Sequence, residues 1–380
     1  MTTAARSIKG GDTSRGPMLE SGAIGGISPI DLHELPVVNA TPLADIDAIV
    51  ARARAAQPAW EALGFEGRAQ RIKKAARLLL EKRDEAGKLI RDEAGKLAAN
   101  AQMHQAIGPL EYATGWIKVA RHALKRKKLP INPIAMPGKR AYTDMIARGV
   151  VGVIAPWNYP LGVFFKPVLP ALLAGNAVVL KPSEYSPRTA EFFARVMGEV
   201  LPKDVVVVVQ GGRDAGAALI GSGIDALSFA GSPVGGRAVL KACAERMIPC
   251  SVELGGKDPA IVLADCDVER TALGILNWGM HNSGQDCGSV ERVYVVDSIA
   301  DRFVDALATA ASRLCVPARA EDKEICGSYL AWAGGPAVGA GEFTPCIRNF
   351  GPVFIKILFE SGLAELVDVA TLRGLAPAQP

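Results

Sequence analysis

The feature that most constrains the fold is an alternation of short apolar runs and helix-length segments between Gly149 and Glu253. The runs Val150–Ile154, Ala177–Lys181 and Val205–Val209 contain almost no polar residue. Strands of this kind are buried on both faces, as in parallel sheets, and the segments between them are long enough for the helical crossovers that parallel strands require. The chain is therefore predicted to have an α/β fold with a doubly wound parallel sheet.

The same patterns predict the elements of this sheet and of a second unit that starts near Pro259. The predicted strands are Val150–Ile154, Ala177–Lys181, Val205–Val209, Ala226–Phe229, Ser251–Glu253, Ile261–Leu263 and Arg292–Val296. The predicted helices are Phe164–Ala174, Thr189–Val200, Ala215–Ile220, Pro233–Arg246, Asp267–Asn277 and Ile299–Leu314.

The composition argues against several classes of protein. The net charge of +4 is small, and the densest basic run, Arg126–Lys128, is not interleaved with aromatic residues, so no nucleic-acid partner is expected. The 7 cysteines and 4 histidines lack the spacing of zinc ligands, so no metal site is expected. Free thiols and the polar residues 1–17, which show no secretory signal, predict a reduced, cytoplasmic location.

One nearly apolar stretch, Leu161–Leu180, has membrane-spanning length. Lys166 lies inside it, and Pro167, Pro170 and Gly175 interrupt it. The preferred interpretation is a buried helix, a turn and a buried strand, so no membrane association is expected.

Two loops at the ends of predicted strands have the residues of a nucleotide site. Phe229–Ser232 leads through Pro233–Gly236 into a helix, whose free N–H groups could bind an anion, although an ordinary tight connection would look the same. In the loop Lys181–Glu184, a lysine and a glutamate could hydrogen-bond ribose hydroxyls. The carboxylate of Glu184 would also repel a 2′-phosphate, and the alternative for this segment is a solvated loop.

Two further positions are candidates for chemistry on a carbonyl group. Cys287 lies between Gly284 and Gly288, which leave room for a substrate, and its thiolate would be a strong nucleophile if its pKa were lowered. Glu253 ends a strand before two glycines, where a carboxylate can act as a general base. The alternatives are an inert buried thiol and a surface carboxylate. His281 is a rival base, but its place at a helix end favours a structural role.

Taken together, these residues resemble the aldehyde dehydrogenase superfamily, from about residue 40 to about residue 315. The motifs that carry the resemblance are Pro156-Trp157-Asn158-Tyr159-Pro160, Gly175-Asn176, Lys181-Pro182-Ser183-Glu184, Phe229-Ala230-Gly231-Ser232, Glu253-Leu254-Gly255-Gly256-Lys257 and Gly284-Gln285-Asp286-Cys287 followed by Arg292.

The resemblance implies an enzyme that oxidises an aldehyde to a carboxylic acid with NAD, with NADP as the other possible cofactor. Cys287 would attack the aldehyde, Asn158 and the main-chain N–H of Cys287 would hold the oxyanion, and hydride transfer to NAD would leave a thioester. Glu253 would activate the water that releases the acid, and Glu184 would favour NAD over NADP. The implied cofactor site consists of Ile154, Pro156, Trp157, Lys181, Ser183, Glu184, Gly231, Ser232, Gly236 and Leu254.

The resemblance also implies a Rossmann-like cofactor domain, a second, incomplete α/β catalytic domain, and assembly into a homo-oligomer. The expected division is an irregular lead-in at 1–40, an N-terminal helical part of the cofactor domain at 41–127, an oligomerisation hairpin or linker at 128–148, the NAD-binding domain at 149–258, a partial catalytic domain at 259–317 and a divergent tail at 318–380.

The tail departs from the family pattern. Phe350–Val353 matches a family motif, but Arg348 stands where a glutamate is usual, and both the interval from Cys287 and the length that follows are short. The alternative hypothesis is therefore a catalytically impaired remnant that keeps a nucleotide-binding fold. Such a chain would leave apolar surface exposed, which opposes regular assembly. The sequence alone does not identify the aldehyde.

Overall fold

The computed structural model describes residues 18–19, 22–29, 33–96, 101 and 108–312. Its strands are β1 (Ala23–Ile27), β2 (Glu34–Asn39), β3 (Lys127–Leu129), β4 (Ala141–Thr143), β5 (Val150–Ile154), β6 (Ala177–Lys181), β7 (Val206–Val208), β8 (Ala226–Gly231), β9 (Cys250–Leu254), β10 (Asp258–Val262) and β11 (Val290–Val295). Its α-helices are α1 (Ile46–Glu61), α2 (Gly64–Glu81), α3 (Arg83–Ala94), α4 (Gly108–Ala123), α5 (Gly162–Leu173), α6 (Pro187–Gly198), α7 (Arg213–Gly221), α8 (Pro233–Glu245), α9 (Val268–Gly279) and α10 (Ala300–Ser312).

A five-stranded parallel sheet forms the centre of the molecule, with the order β7-β6-β5-β8-β9. The predicted parallel α/β fold is confirmed, and each predicted strand and helix of the sheet region is found with ends that differ by a few residues. The chain leaves β5 towards β6 on one side and returns as β8 on the other. The carboxyl ends of β5 and β8 therefore form a topological switch point, where open α/β sheets bind ligands.

Both faces of the sheet are covered because its central strands place apolar side chains on each face in turn. Val178 and Leu180 of β6 pack into a core with α2, α4, α5 and α6. Ala177 and Val179 of the same strand pack on the opposite side with α1, α7 and α8. All five residues of β6 are buried, which explains why this strand shows no polar alternation.

A second unit contains β10, β11, α9 and α10. The two strands pair in parallel, and the helices pack on them around a separate core that includes Phe303 and Leu307. The other face of this pair is open among the described residues, since Ile261 and Tyr294 are exposed. The expected tail at 318–380 lies outside the described residues.

Within the expected irregular lead-in at 1–40, two described segments are strands, Ala23–Ile27 and Glu34–Asn39. β1 and β2 form an antiparallel pair, with Ala23 opposite Asn39 and Ile27 opposite Glu34. The register shifts between Ile24 and Gly26, and Pro36 falls in this irregular part, where its missing N–H breaks no regular ladder. Glycines in β1 and a proline in β2 gave the segment the composition of a loop.

Two other expected segments have clear structures. Within 128–148, β3 and β4 pair as an antiparallel hairpin with Leu129 opposite Ala141. The apolar stretch Leu161–Leu180 forms α5, a turn and most of β6, as predicted. Among the helices in the described ranges, none has both the length and the apolar character that a membrane crossing requires.

A buried carboxylate caps α6. Glu93, at the end of α3, accepts hydrogen bonds from the main-chain N–H groups of Arg188 (2.7 Å) and Thr189 (3.0 Å), and from the Thr189 hydroxyl (2.5 Å). These N–H groups belong to the first turn of α6, where they have no intrahelical acceptor. Burial raises the pKa of Glu93 to about 7 despite these hydrogen bonds.

We expect the stability of the fold to decrease as this carboxyl group ionises. The pKa in the folded chain, about 7, exceeds the ordinary value of 4.5, so the folded state holds the proton more tightly. The resulting stabilisation is complete below pH 4.5 and is lost as the pH rises through 7. Relative to Glu93→Gln, the unfolding free energy of the natural chain should fall by about 3 kcal/mol across this range.

Urea unfolding of both chains at pH 4.5, 6 and 8 measures this difference. Glu85→Gln, an exposed exchange on the same helix, gives the background change in the pH dependence. Parallel pH profiles for the natural chain and Glu93→Gln would contradict the assignment.

Candidate functional site

A cavity of about 880 Å³ opens at the carboxyl ends of β5, β8 and β9. Directly after β5 the chain continues into the loop Pro156–Pro160, which forms one part of the wall. The segment of the second unit that precedes β11 forms another part. The predicted site residues in its wall are Ile154, Pro156, Trp157, Asn158, Gly231, Ser232, Glu253, Leu254 and Cys287. Residues far apart in sequence therefore meet at the switch point of the sheet.

Cys287 lies in a short loop between a 3-10 turn, His281–Gly284, and β11. Its side chain is exposed to the cavity, and Gly284 at the start of the loop has a φ of +73°. A residue other than glycine adopts this conformation at a cost. The structure thus favours an accessible thiol over the alternative of a buried inert one.

Asn282 joins the Cys287 loop to the Asn158 loop. Its Nδ2 group donates to the main-chain oxygen of Asn158 at 3.0 Å and to that of Gln285 at 2.9 Å. Asn158 in turn donates from its own Nδ2 to the Gln285 oxygen at 3.0 Å. These three bonds fix the amide of Asn158 beside the loop that carries Cys287.

Lys96 holds Asn282 from a third part of the chain. It donates to Oδ1 of Asn282, and its ammonium nitrogen stands 4.4 Å from the centre of the Tyr159 ring. Lys96 is buried, and burial lowers its pKa to about 7, although the charge of Asp286 acts in the opposite direction. Because Oδ1 of Asn282 accepts from a lysine, its Nδ2 group is free to face the two carbonyl oxygens.

Tyr159, His281 and Asp286, which precedes Cys287, form a closed triangle of polar contacts. The Tyr159 hydroxyl donates to Oδ2 of Asp286 at 2.8 Å, and Nδ1 of His281 lies 2.8 Å from the same oxygen and 2.9 Å from the hydroxyl. A hydrogen on Nδ1 satisfies this arrangement, since two oxygens face that nitrogen. This geometry supports a structural role for His281 over a role as base.

The immediate surroundings of Cys287 oppose its ionisation. Burial, together with the charge of Asp286, raises the pKa of the thiol, whereas its own main-chain N–H and the charge of Lys166 act to lower it. A lowered pKa was the condition for a strong nucleophile, so this condition is not met in the chain without bound ligands. Asp286 itself stays ionised: burial acts against this, but the Gly288 N–H, Tyr159 and His281 lower its pKa.

Glu253 stands at the end of β9, in the wall of the same cavity as Cys287. A second wall carboxylate, Glu291, forms an ion pair with Lys257 at 2.8 Å. Glu253 is exposed at this strand end, where a water molecule can reach it. Its role as a general base stays a prediction.

The predicted anion-binding turn has the structure of a helix N-terminus. Ser232 caps α8, and its Oγ accepts from the Gly235 N–H at 3.1 Å. Gly231 and Ser232 line the cavity, so the chain enters α8 at the cavity wall. An N-terminus in this position suits the phosphates of a dinucleotide. The residues present therefore fit the implied cofactor on that side.

The Lys181–Glu184 loop lies beside the cavity but outside its wall. The buried Lys181 stands 3.5 Å from Glu184, and Ser183 accepts from the Tyr185 N–H at 3.3 Å. The Tyr185 ring meets the Trp157 ring edge to face at 6.3 Å, which connects this loop to the cavity wall. A ribose bound by Lys181 and Glu184 would therefore lie next to the cavity.

Gly236 has a packing role that the sequence did not indicate. It lies in α8 and outside the cavity wall, and a Cβ atom there would come within 2.5 Å of the Leu254 side chain. A larger residue at this position would require the Leu254 side chain to move. Its expected contact with a pyrophosphate stays a prediction.

Sequence reasoning missed Lys96, Asn282 and the Tyr159–Asp286 contact as parts of the site. Asn282 carried a signal, because it adjoins the Cys287 motif and an asparagine tolerates its φ of +53°. Lys96 carried none: it follows α3 and looks like an exposed charge on a helix end, yet it is only 3% exposed.

Comparisons with known proteins agree with this geometry. The model of the aldehyde dehydrogenase family matches residues 19–330. The chain is 35% identical over 294 residues to 4,4′-diapolycopene aldehyde oxidase from Methylomonas sp, covering 77% of this chain and 56% of the relative. It is 35% identical over 263 residues to lactaldehyde dehydrogenase from Escherichia coli (strain K12), covering 68% of this chain and 53% of the relative.

A solved structure shares the fold at similar identity. The NAD+ complex of an aldehyde dehydrogenase from Bacillus cereus superposes with a TM-score of 0.72 at 32% identity, covering 77% of this chain and 60% of that chain. The chain therefore spans a little over half the length of the relatives that it matches.

The variant Asn282→Asp tests the amide link between the two loops. It keeps the size of the side chain and an acceptor for Lys96, but it replaces the Nδ2 donor by an oxygen that faces two carbonyl oxygens. We expect a loss of about 2 kcal/mol in unfolding free energy, since buried acceptors lose their donor. Chemical denaturation of the natural chain and the variant measures this loss in unfolding free energy.

Asn132→Asp is the matched control. Asn132 accepts from the N–H groups of Ile134 and Ala135 through Oδ1, a role that a carboxylate keeps. Equal effects of the two exchanges would show that the Asn282 amide does not hold the loops together.

The variant Asp286→Asn tests the electrostatic environment of Cys287. Because the Asp286 carboxylate raises the pKa of the thiol, its neutralisation should lower that pKa. The pH dependence of Cys287 alkylation by iodoacetamide, followed by peptide mass spectrometry, should then move to lower pH. Glu291→Gln removes another wall carboxylate, one already paired with Lys257, and should shift the pH dependence of alkylation less. A profile for Asp286→Asn that is unchanged or displaced upwards would refute this account.

Proposed function

The chain belongs to the aldehyde dehydrogenase family, and on that basis we propose that it oxidises an aldehyde to a carboxylic acid through Cys287, with NAD as hydride acceptor. The observation that carries the proposal is the shared cavity. Cys287, Asn158 and Glu253 line one space whose remaining wall includes Gly231 and Ser232, the residues directly before α8. A nucleophile, an amide donor and a base thus surround a volume large enough for a small substrate.

In the proposed reaction the Cys287 thiolate attacks the aldehyde carbon and forms a thiohemiacetal. The oxygen becomes negative at this step. The second N–H of the Asn158 amide and the main-chain N–H of Cys287 are proposed to hold it, since the first amide N–H is bonded to the Gln285 oxygen. The link through Asn282 fixes the amide before the substrate arrives, which is the preorganisation that oxyanion stabilisation needs.

The proton of the Cys287 thiol must be removed although burial raises its pKa. The main-chain N–H of Cys287 and the charge of Lys166 favour the thiolate. Glu253 is proposed to act later, as the base that activates water against the thioester. Its place at the end of β9, open to solvent, supports this order.

The proposed cofactor residues divide into two groups. Ser232 and the first turn of α8 would bind the phosphates, and Lys181 with Glu184 would bind a ribose. Bound NAD would supply the hydride acceptor. The carboxylate of Glu184 supports NAD over NADP, because a 2′-phosphate near it would be repelled.

Assembly and location are part of the same proposal. Exposed apolar side chains in the segment 128–148, Ile134 at 91% between β3 and β4 and Ile146 at 83% after β4, support a role in a homo-oligomer. The free thiols of Cys243, Cys250, Cys266 and Cys287 support the reducing cytoplasm. The proposed domain division keeps 149–258 as the NAD-binding part and 259–317 as part of the catalytic domain.

NADH formation, followed by absorbance with a panel of aliphatic and aromatic aldehydes, tests the proposal. Cys287→Ala should reduce turnover by a factor of about 1,000 or more, as removal of a covalent nucleophile does. Cys266→Ala, which removes a thiol before α9, should retain activity. A natural chain that binds NAD but turns over no aldehyde would support the alternative, an impaired remnant with a nucleotide-binding fold. Full activity of Cys287→Ala would overturn the role of Cys287.

A further inference from the structure

The cavity wall contains one basic side chain, that of Lys166, to which the proposed reaction assigns no binding partner. Lys166 lies on α5, and among the residues known to line the cavity it is the sole lysine or arginine. It is exposed, and within the described ranges it has no ion-pair partner. Its charge reaches the reacting centre, because it acts to lower the pKa of Cys287.

The surroundings of Lys166 differ from those of the cofactor side. Its neighbours in the wall are Tyr112 and Trp116 of α4 and Pro170 of α5, and its ammonium nitrogen lies 5.9 Å from the centre of the Tyr112 ring. Other parts of the wall come from the ends of β8 and β9 and from Ser232 before α8. A substrate beside Lys166 therefore meets a cation next to apolar and aromatic side chains.

The acidic wall residues do not cancel this charge. Glu291 is paired with Lys257, and Asp286 is bonded to Tyr159 and His281. Glu253 stands on β9, on the cofactor side. Lys166 is thus left to pair with a group that is brought into the cavity.

We propose that Lys166 binds a carboxylate on the substrate, so that the preferred substrates are aldehydes that carry a carboxylate a few carbon atoms from the carbonyl group. This inference rests on the proposed function. A carboxylate fits better than a phosphate, because one lysine balances one negative charge and a dianion would leave one charge unbalanced. A spacing of a few carbon atoms is proposed because Lys166 and Cys287 line the same cavity of about 880 Å³.

Rates with size-matched aldehydes test the proposal: 4-oxobutanoate against butanal, and 6-oxohexanoate against hexanal. Of the two carboxylated aldehydes, one will react faster with the natural chain. We expect its kcat/KM to be at least 10-fold higher than that of the neutral aldehyde in the same pair. Lys166→Met should reduce this ratio about 10- to 100-fold, and Lys166→Arg should retain most of it. Lys118→Met, an exposed exchange on α4, should leave the ratio unchanged. A natural chain that prefers the neutral aldehydes, or a ratio that Lys166→Met does not change, would overturn the proposal.

A second measurement does not depend on turnover and separates this inference from the proposed function. Succinamate, a monoanion, should slow the alkylation of Cys287 by iodoacetamide in the natural chain, and succinamide, of similar size and neutral, should not. Lys166→Met should abolish the protection by succinamate. Protection without any aldehyde oxidation would support the anion site and contradict the proposed function. Absence of protection in the natural chain would contradict the anion site.

Discussion

The carboxamide of Asn282 links the two loops that make the site, together with the direct bonds from Asn158 to Gln285 and from Tyr159 to Asp286. The Asn158 loop belongs to the end of β5, and the Cys287 loop belongs to the second unit, so no sheet or helix connects them directly. The Nδ2 group of Asn282 bonds a main-chain oxygen in each loop, at 3.0 and 2.9 Å. Lys96 fixes the orientation of the amide through its Oδ1 atom. A buried network of this kind stabilises only while each member keeps its partner.

The charges around the nucleophile follow from this arrangement. Asp286 precedes Cys287 in the chain, and the loop places its carboxylate among Tyr159, His281 and the Gly288 N–H. These groups keep Asp286 ionised, and the ionised carboxylate helps to hold the thiol of Cys287 protonated. The contacts of Asp286 therefore hold the loop in place, and the same carboxylate makes the Cys287 thiol less reactive. Lys166 lies in the wall of the same cavity, and its charge opposes this effect, which connects the proposed substrate binding to the ionisation of Cys287.

The parallel sheet could be predicted from sequence because burial on both faces removes polar residues from its strands, as β6 shows. The catalytic candidates could be predicted because each lies in a motif with its own glycine or proline. The pair β1–β2 could not, since its glycines and Pro36 resemble a loop and the pairing is decided by contacts between strands. Lys96 could not either, because its burial arises only when a segment after α3 meets a turn that is 186 residues away.

The central claim is that Cys287 forms a covalent acyl intermediate in this cavity and that Glu253 is needed to release it. The most direct test is the mass of the intact Glu253→Gln protein after mixing with NAD and 4-oxobutanoate, followed by peptide mapping. The account predicts a mass increase equal to one acyl group, located on the peptide that contains Cys287 and absent when NAD is omitted. An unmodified Cys287 under conditions in which NADH is formed, or an acyl group on another residue, would contradict it.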